Sequence, residues 1–138
     1  MSTMRIILIE DSDSDIFALK MCLNQLSKNH ELIVLKDGDD AVRFLEEERF
    51  SSKRKPCIIV TDLHLPKRSG LEILEAARQV PSLTEVNVMI LTGIASPEDQ
   101  LRITGLGGMY TTKPMSLSGY QELAALILDV CHSGARAA

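Results

Sequence analysis

The chain has 138 residues, of which 45% are hydrophobic and 25% charged, and its formal net charge at pH 7 is −4. Such a length and composition are typical of one globular domain, so we expect a single domain over 1–138 with a core over about 4–131 and a short C-terminal tail. An acidic chain without a broad basic face is a poor candidate for direct nucleic-acid binding, and no apolar stretch reaches the length of a membrane span. We therefore expect a cytoplasmic protein with no membrane insertion.

Short apolar runs alternate along the chain with segments of helical periodicity. The runs predict five strands, at 4–9, 32–35, 57–60, 86–91 and, more weakly, 109–112. Ser69 with Glu72 and Ser118 with Gln121 are spaced as helix capping boxes, and Ser96 stands before a proline as helix N-caps do. Five strands alternating with five helices predict an α/β fold. We expect a doubly wound five-stranded parallel sheet of order 2-1-3-4-5, which is the flavodoxin-like arrangement.

Polar residues stand at the ends of four of the five predicted strands. Glu10 and Asp11 follow the first strand, Asp62 the third, Thr92 ends the fourth and Lys113 follows the fifth. In the predicted order these strand ends gather at the edge of the sheet where ligands bind. Clustered carboxylates need a cation, and oxygen ligands without a His/Cys set favour Mg²⁺. A phosphoryl group would then meet the ammonium and the hydroxyl, and one carboxylate could form an aspartyl phosphate.

Taken together, these motifs resemble the CheY-like receiver domain of bacterial response regulators. The resemblance covers almost the whole chain and is carried by the acidic pair, "TDLHLPKRSG", "LTG" and "YTTKP", in that order. It implies that Asp62 accepts phosphate from a sensor histidine kinase or phosphotransfer protein and that Lys113 binds the phosphoryl group. It also implies a Mg²⁺ (or Mn²⁺) ion held by Asp11, Asp62 and the backbone carbonyl of His64, with Glu10 acting through water.

The same resemblance implies a conformational switch. Thr92 would move toward the phosphoryl group while Tyr110 turns inward, and the fourth helix, fifth strand and fifth helix would form the output face. The Lys113–Pro114 peptide bond would be cis. Such a domain assists its own phosphorylation and dephosphorylation without being an enzyme in the usual sense, and the apolar Ile94 predicts slow self-dephosphorylation.

Two stretches suggest a narrower likeness. "EDSDSDIFALKMCL" and "PSLTEVNVMILTG" are similar to small response regulators that serve bacterial phytochrome kinases. Since no output domain is predicted after the last helix, we expect a stand-alone receiver of a two-component or phosphorelay system, which acts on a downstream protein target and forms a homodimer in some relatives.

Two alternatives remain. A haloacid-dehalogenase-type phosphatase would use Asp11 and Asp13 as nucleophile and acid, but Asp15 occupies its Thr/Val position and Asp62 is left unexplained. A receiver-shaped interaction module that never takes phosphate usually lacks one of the core residues, and this chain keeps all of them.

The remaining polar and sulfur-bearing residues are predicted to be structural. Asp13 and Asp15 are placed to start the first helix, where carboxylates favour the helix dipole. The basic run at 51–56 reads as a solvated loop. Cys22, Cys57 and Cys131 lie far apart in the sequence, so we expect buried thiols and no disulfide.

Overall fold

The five predicted strands form one parallel sheet in a computed structural model that describes residues 3–47 and 55–133. The strands are β1 (Met4–Ile9), β2 (His30–Leu35), β3 (Ile58–Asp62), β4 (Asn87–Thr92) and β5 (Met109–Thr112). Their order is β2-β1-β3-β4-β5, and each neighbouring pair is parallel. The predicted fold class and strand order are therefore confirmed.

Helices connect the strands and cover both faces of the sheet. They are α1 (Asp13–Leu26), α2 (Gly38–Glu47), α3 (Gly70–Gln79), α4 (Pro97–Gly105) and α5 (Leu117–Ser133), with a 3₁₀ turn at Pro81–Leu83. None of the helices within the described ranges has both the length and the hydrophobicity that a bilayer crossing requires. Most of the basic run at 51–56 lies outside the described residues.

Side chains of β1 alternate between two hydrophobic layers. Ile6 and Leu8 pack with α1 and α5, whereas Ile7 and Ile9 pack with α2, α3 and α4. Because successive residues of a strand point to opposite faces, a strand covered on both sides must be apolar throughout. The strand sequences are therefore continuously apolar. Polar residues stand at the ends of the strands, where the helices no longer cover the sheet.

Two of the three serine caps predicted from the sequence, at Ser69 and Ser96, are present in the structure. Ser69 and Glu72 form the predicted capping box, and the hydroxyl of Ser96 accepts a hydrogen bond from the amide of Asp99. The box predicted at Ser118 is wrong, because α5 already begins at Leu117 and the hydroxyl that accepts from the Gly119 amide belongs to Ser116, at 3.1 Å.

The expectation that every cysteine is a thiol is also wrong. Cys57, just before β3, forms a disulfide with Cys131 near the end of α5, with 5.0 Å between the Cα atoms and a sequence separation of 74. Only Cys22 is a buried free thiol. Distance in the sequence was a poor guide to cysteine pairing, because α5 runs back toward the edge of the sheet where β3 begins and brings two remote segments together.

Candidate functional site

The carboxyl edge of the sheet brings the predicted polar residues together. Glu10 follows β1, Asp62 and Thr92 are the last residues of β3 and β4, and Lys113 follows β5. The Lys113 amide donates to the carbonyl of Thr92 at 3.0 Å, so the lysine backbone is tied to the neighbouring strand. These side chains are therefore held by the rigid core of the sheet.

Three carboxylates meet at this edge. Oxygen atoms of Glu10, Asp11 and Asp62 all lie within 4.8 Å of one another. Glu10 and Asp62 are 2% and 4% exposed, whereas Asp11 faces solvent. Glu10 is fixed by the amide of Ser12, which donates to its Oε2 at 3.1 Å.

The ammonium group of Lys113 lies between three carboxylates. Its Nζ is 3.0 Å from Glu10 Oε1, 3.0 Å from Asp62 Oδ2 and 3.3 Å from Asp15 Oδ2. Burial acts to lower the pKa of Lys113, but the hydrogen bonds and charges of Asp62 and Glu10 outweigh it and raise that pKa above its ordinary value. Lys113 is thus a permanent cation, and the contact with Asp15 was not predicted from the sequence.

Asp62 is the most perturbed carboxyl group of the site. Burial, together with the neighbouring Glu10, raises the pKa of Asp62 to about 8, although Lys113 opposes this shift. Its Oδ2 accepts a hydrogen bond from Lys113, while its buried Oδ1 has no hydrogen-bond partner among the described residues. A buried oxygen without a partner is costly and calls for a proton, a water molecule or a cation.

The donor set fits a hard divalent cation. Asp62 Oδ1 and the exposed Asp11 carboxylate offer oxygen ligands beside Glu10, and neither sulfur nor imidazole belongs to this group. Oxygen-only sites of this kind suit Mg²⁺ and Mn²⁺.

The residues predicted to switch lie beside this cluster. The hydroxyl of Thr92 donates to the carbonyl of Ile94 at 2.8 Å and is therefore engaged with the β4–α4 loop. Tyr110 is 39% and Ile94 86% exposed, and the His64 side chain also faces solvent. The expected cis bond before Pro114 is wrong: the described residues contain no cis peptide, and this bond takes the trans form that X-Pro bonds ordinarily prefer.

Gly70 supports the site from behind. A Cβ atom at this position would lie 2.3 Å from the carbonyl oxygen of Asp62, and the Gly70 amide donates to Leu63 at 2.8 Å. The close approach locks the start of α3 against the end of β3. The glycine stands in the quoted "TDLHLPKRSG" motif, but its packing role could not be predicted without the fold.

A 2-1-3-4-5 parallel sheet with an acid cluster and a lysine at its carboxyl edge is the arrangement of receiver domains. Residues 6–125 match the response regulator receiver domain. The chain belongs to this family, as its motifs indicated, and the family functions in two-component signalling.

Similar proteins include other response regulators. The response regulator Rcp1 of Synechocystis sp. is 34% identical over 114 residues, which cover 81% of this chain and 78% of Rcp1. The phosphorylated cyanobacterial phytochrome response regulator RcpA superposes with a TM-score of 0.82 at 28% identity, covering 96% of each chain. The Mn²⁺-bound form of Rcp1 gives a TM-score of 0.77 at 32% identity, covering 90% of this chain and 91% of that one.

Proposed function

We propose that this protein receives a phosphoryl group on Asp62 from a sensor histidine kinase or a phosphotransfer protein. The observation that carries the proposal is the state of the Asp62 carboxylate. It is buried at the carboxyl edge of the sheet and pairs with Lys113 through one oxygen, while its other oxygen has no partner among the described residues. An acceptor needs such a positioned carboxylate with a fixed cation beside it.

In the proposed reaction an oxygen of Asp62 attacks the phosphorus of a phosphohistidine. The new O–P bond forms as the P–N bond breaks, and the electron pair of that bond leaves with the imidazole nitrogen. Lys113, 3.0 Å from Asp62 Oδ2, is close enough to neutralise charge on the transferring oxygens. The domain is changed by this step and reset by hydrolysis, so it serves as a phosphoacceptor that assists its own chemistry.

Asp11, Asp62 and the backbone carbonyl of His64 are the residues proposed to hold Mg²⁺ or Mn²⁺, with Glu10 acting through water. A bound divalent cation would favour ionised Asp62 and attract phosphoryl oxygens. The raised pKa of Asp62 supports this need, because a carboxylic acid that keeps its proton is a poor nucleophile.

The signal would leave through α4, β5 and α5. In this structure the Thr92 hydroxyl donates a hydrogen bond to the carbonyl of Ile94, and Tyr110 is exposed. Phosphorylation would give the Thr92 hydroxyl a stronger acceptor, release the β4–α4 loop and allow Tyr110 to turn inward.

The partners are inferred from the similar proteins. RcpA, described as a cyanobacterial phytochrome response regulator, supports a phytochrome-type kinase as the donor, and the Mn²⁺-bound form of Rcp1 supports the metal. We propose a cytoplasmic receiver domain over 1–138, with a downstream protein target and a homodimer as a possible assembly.

The test is the intact mass of the protein after incubation with acetyl phosphate, with and without Mg²⁺. We expect wild type to gain one phosphate in a Mg²⁺-dependent manner and Asp62→Asn to gain none. Asp13→Asn, which changes an exposed carboxylate outside the cluster, is the matched control. Failure of wild type with both acetyl phosphate and a phosphorylated kinase would favour the phosphate-independent module, and phosphate on Asp62→Asn would place the nucleophile elsewhere.

A further inference from the structure

Asp15 is the third carboxylate around Lys113 and has no place in the metal cluster. It lies in the first turn of α1, and its Oδ2 is 3.3 Å from Lys113 Nζ. The side chains of Asp15 and Lys113 are 29% and 28% exposed, so solvent weakens their attraction only in part.

The other two partners of Lys113 are shared with the proposed chemistry. Asp62 and Glu10 both belong to the group of carboxylates that could hold a cation, whereas Asp15 does not. A bound cation would compete with Lys113 for Asp62 and Glu10, and phosphorylation would convert the Asp62 carboxylate into an acyl phosphate, a mixed anhydride. Asp15 is then the partner whose attraction for Lys113 is least altered through the reaction.

A second polar group lies near Asp15. Tyr120 in α5 is 6% exposed, and its hydroxyl makes no hydrogen bond of standard geometry within the described residues. Asp15, Lys113 and Tyr120 line one surface pocket. Burial raises the pKa of the Tyr120 phenol, and the nearby Asp15 carboxylate adds to that rise.

We propose that Asp15 is a positioning residue that holds the Lys113 ammonium over the phosphoacceptor before and during phosphoryl transfer. The proposal rests on the proposed function of Asp62 and goes beyond it, because it gives a helix-start aspartate a part in the reaction. A lysine side chain loses conformational entropy when its ammonium group is fixed in place. If Asp15 already holds the ammonium group before the reaction, less entropy remains to be lost during phosphoryl transfer.

Asp15→Asn tests the proposal, with Asp13→Asn as its control. Both residues are acids in the first turn of α1, but Asp13 pairs with Lys36 and does not contact Lys113. We expect Asp15→Asn to slow phosphorylation by acetyl phosphate about fivefold, the effect of losing one partly exposed ion pair from the cation that stabilises the transition state. Mn²⁺ affinity measured by electron paramagnetic resonance should stay within about twofold of wild type, and Asp15→Glu should recover most of the rate.

An effect of helix stability alone would slow both asparagine variants equally, and that result would overturn the proposal. A rate loss matched by an equal loss of Mn²⁺ affinity would also overturn it, since Asp15 would then act through the metal.

A second readout does not depend on phosphorylation. In the metal-free protein, NMR relaxation of the Lys113 Cε–Hε group should show greater mobility in Asp15→Asn and no change in Asp13→Asn. Unchanged mobility in both variants refutes the positioning role. If wild type takes no phosphate but Lys113 is released in Asp15→Asn, the proposed function fails while the hold of Asp15 on Lys113 stands.

Discussion

The Cys57–Cys131 disulfide gives the most quantitative prediction about the fold. It joins the start of β3 to the end of α5 across a separation of 74 residues. We expect reduction of this bond to destabilise the protein chiefly by freeing the unfolded chain, because Cys131 is 9% exposed and packs in the hydrophobic layer whether or not it is bonded.

The magnitude follows from the length of the loop. Closing a loop of this size in the unfolded chain corresponds to about 4.5 kcal/mol at 25 °C by chain entropy, and disulfides typically deliver about 2–4 kcal/mol. Unfolding entropy near the midpoint is about 2.1 cal/mol/K per residue, or about 0.3 kcal/mol/K for this chain. A loss of about 3 kcal/mol therefore lowers Tm by about 10 °C.

The assay is thermal unfolding of wild type and of Cys57→Ser/Cys131→Ser, each with and without a phosphine reductant. Reductant should lower the Tm of wild type only, and thiol titration of the denatured, non-reduced wild type should find one thiol, that of Cys22. Three thiols under oxidising conditions would show that the bond does not form. One thiol with an unchanged Tm after reduction would refute the loop-entropy reasoning.

Four further predictions concern the site and its supports. In the metal-free protein the pKa of Asp62 is about 8 in the folded state and 3.8 in the unfolded chain. The free energy of unfolding therefore falls as the pH rises between these two values, because the unfolded chain releases the proton first. Asp62→Asn should accordingly have a higher Tm than wild type at pH 8, and the two Tm values should converge near about pH 4. Gly70→Ala should cost about 2 kcal/mol in denaturant unfolding, whereas Gly105→Ala, which meets open space, should be nearly neutral. Arg78→Lys should cost about 2 kcal/mol in the same assay because the guanidinium serves several carbonyls. Ile94→Asn should shorten the lifetime of the phosphoprotein, followed by intact mass.

Three results would contradict these predictions. A Tm of Asp62→Asn below wild type at pH 8 would mean that the Lys113 contact outweighs burial of the carboxylate. Equal stability of the two alanine variants would refute the close approach of Gly70 to Asp62. A phosphoprotein that lives longer in Ile94→Asn than in wild type would sink the idea that an apolar side chain shields the phosphate.

The sheet could be predicted because strands and helices have different hydrophobic patterns in the sequence. Burial on both faces makes the strands continuously apolar, which is visible along the chain. The strand ends were less predictable: the third run was placed at 57–60, but β3 continues to Asp62 because its last residues pair with β4. A polar residue can end a strand when its neighbour supplies the hydrogen bonds, and no local pattern records that neighbour.

Site residues that stand at the end of a strand could be predicted from the sequence. Site contacts that depend on how helices pack against the sheet could not. The sequence predicts Asp15 at a helix start, and the structure confirms it, but its contact with Lys113 joins the first helix to the segment after the last strand. No pattern in the sequence marks Arg78, although its guanidinium donates to carbonyls that shape the turns before β4 and β5, those of Leu83, Val86, Leu106 and Gly107. Such long-range contacts become visible only when the helices have been placed on the sheet.

The balance of charge explains why the site is built at the end of so rigid a sheet. Three acids, Glu10, Asp15 and Asp62, contact Lys113, and Asp11 lies beside Glu10 and Asp62, so with all four ionised the cluster would carry a net charge of about −3. Burial of Asp62 and, after it, the neighbouring Glu10 raise the pKa of Asp62, so the ionised cluster is costly in the folded state. A proton or a divalent cation relieves this repulsion, whereas an added phosphoryl group increases the negative charge that Lys113 must balance. Because the apolar core that covers both faces of the sheet resists separation of the strands, relief of this repulsion depends on a proton or a cation and not on movement of the strands.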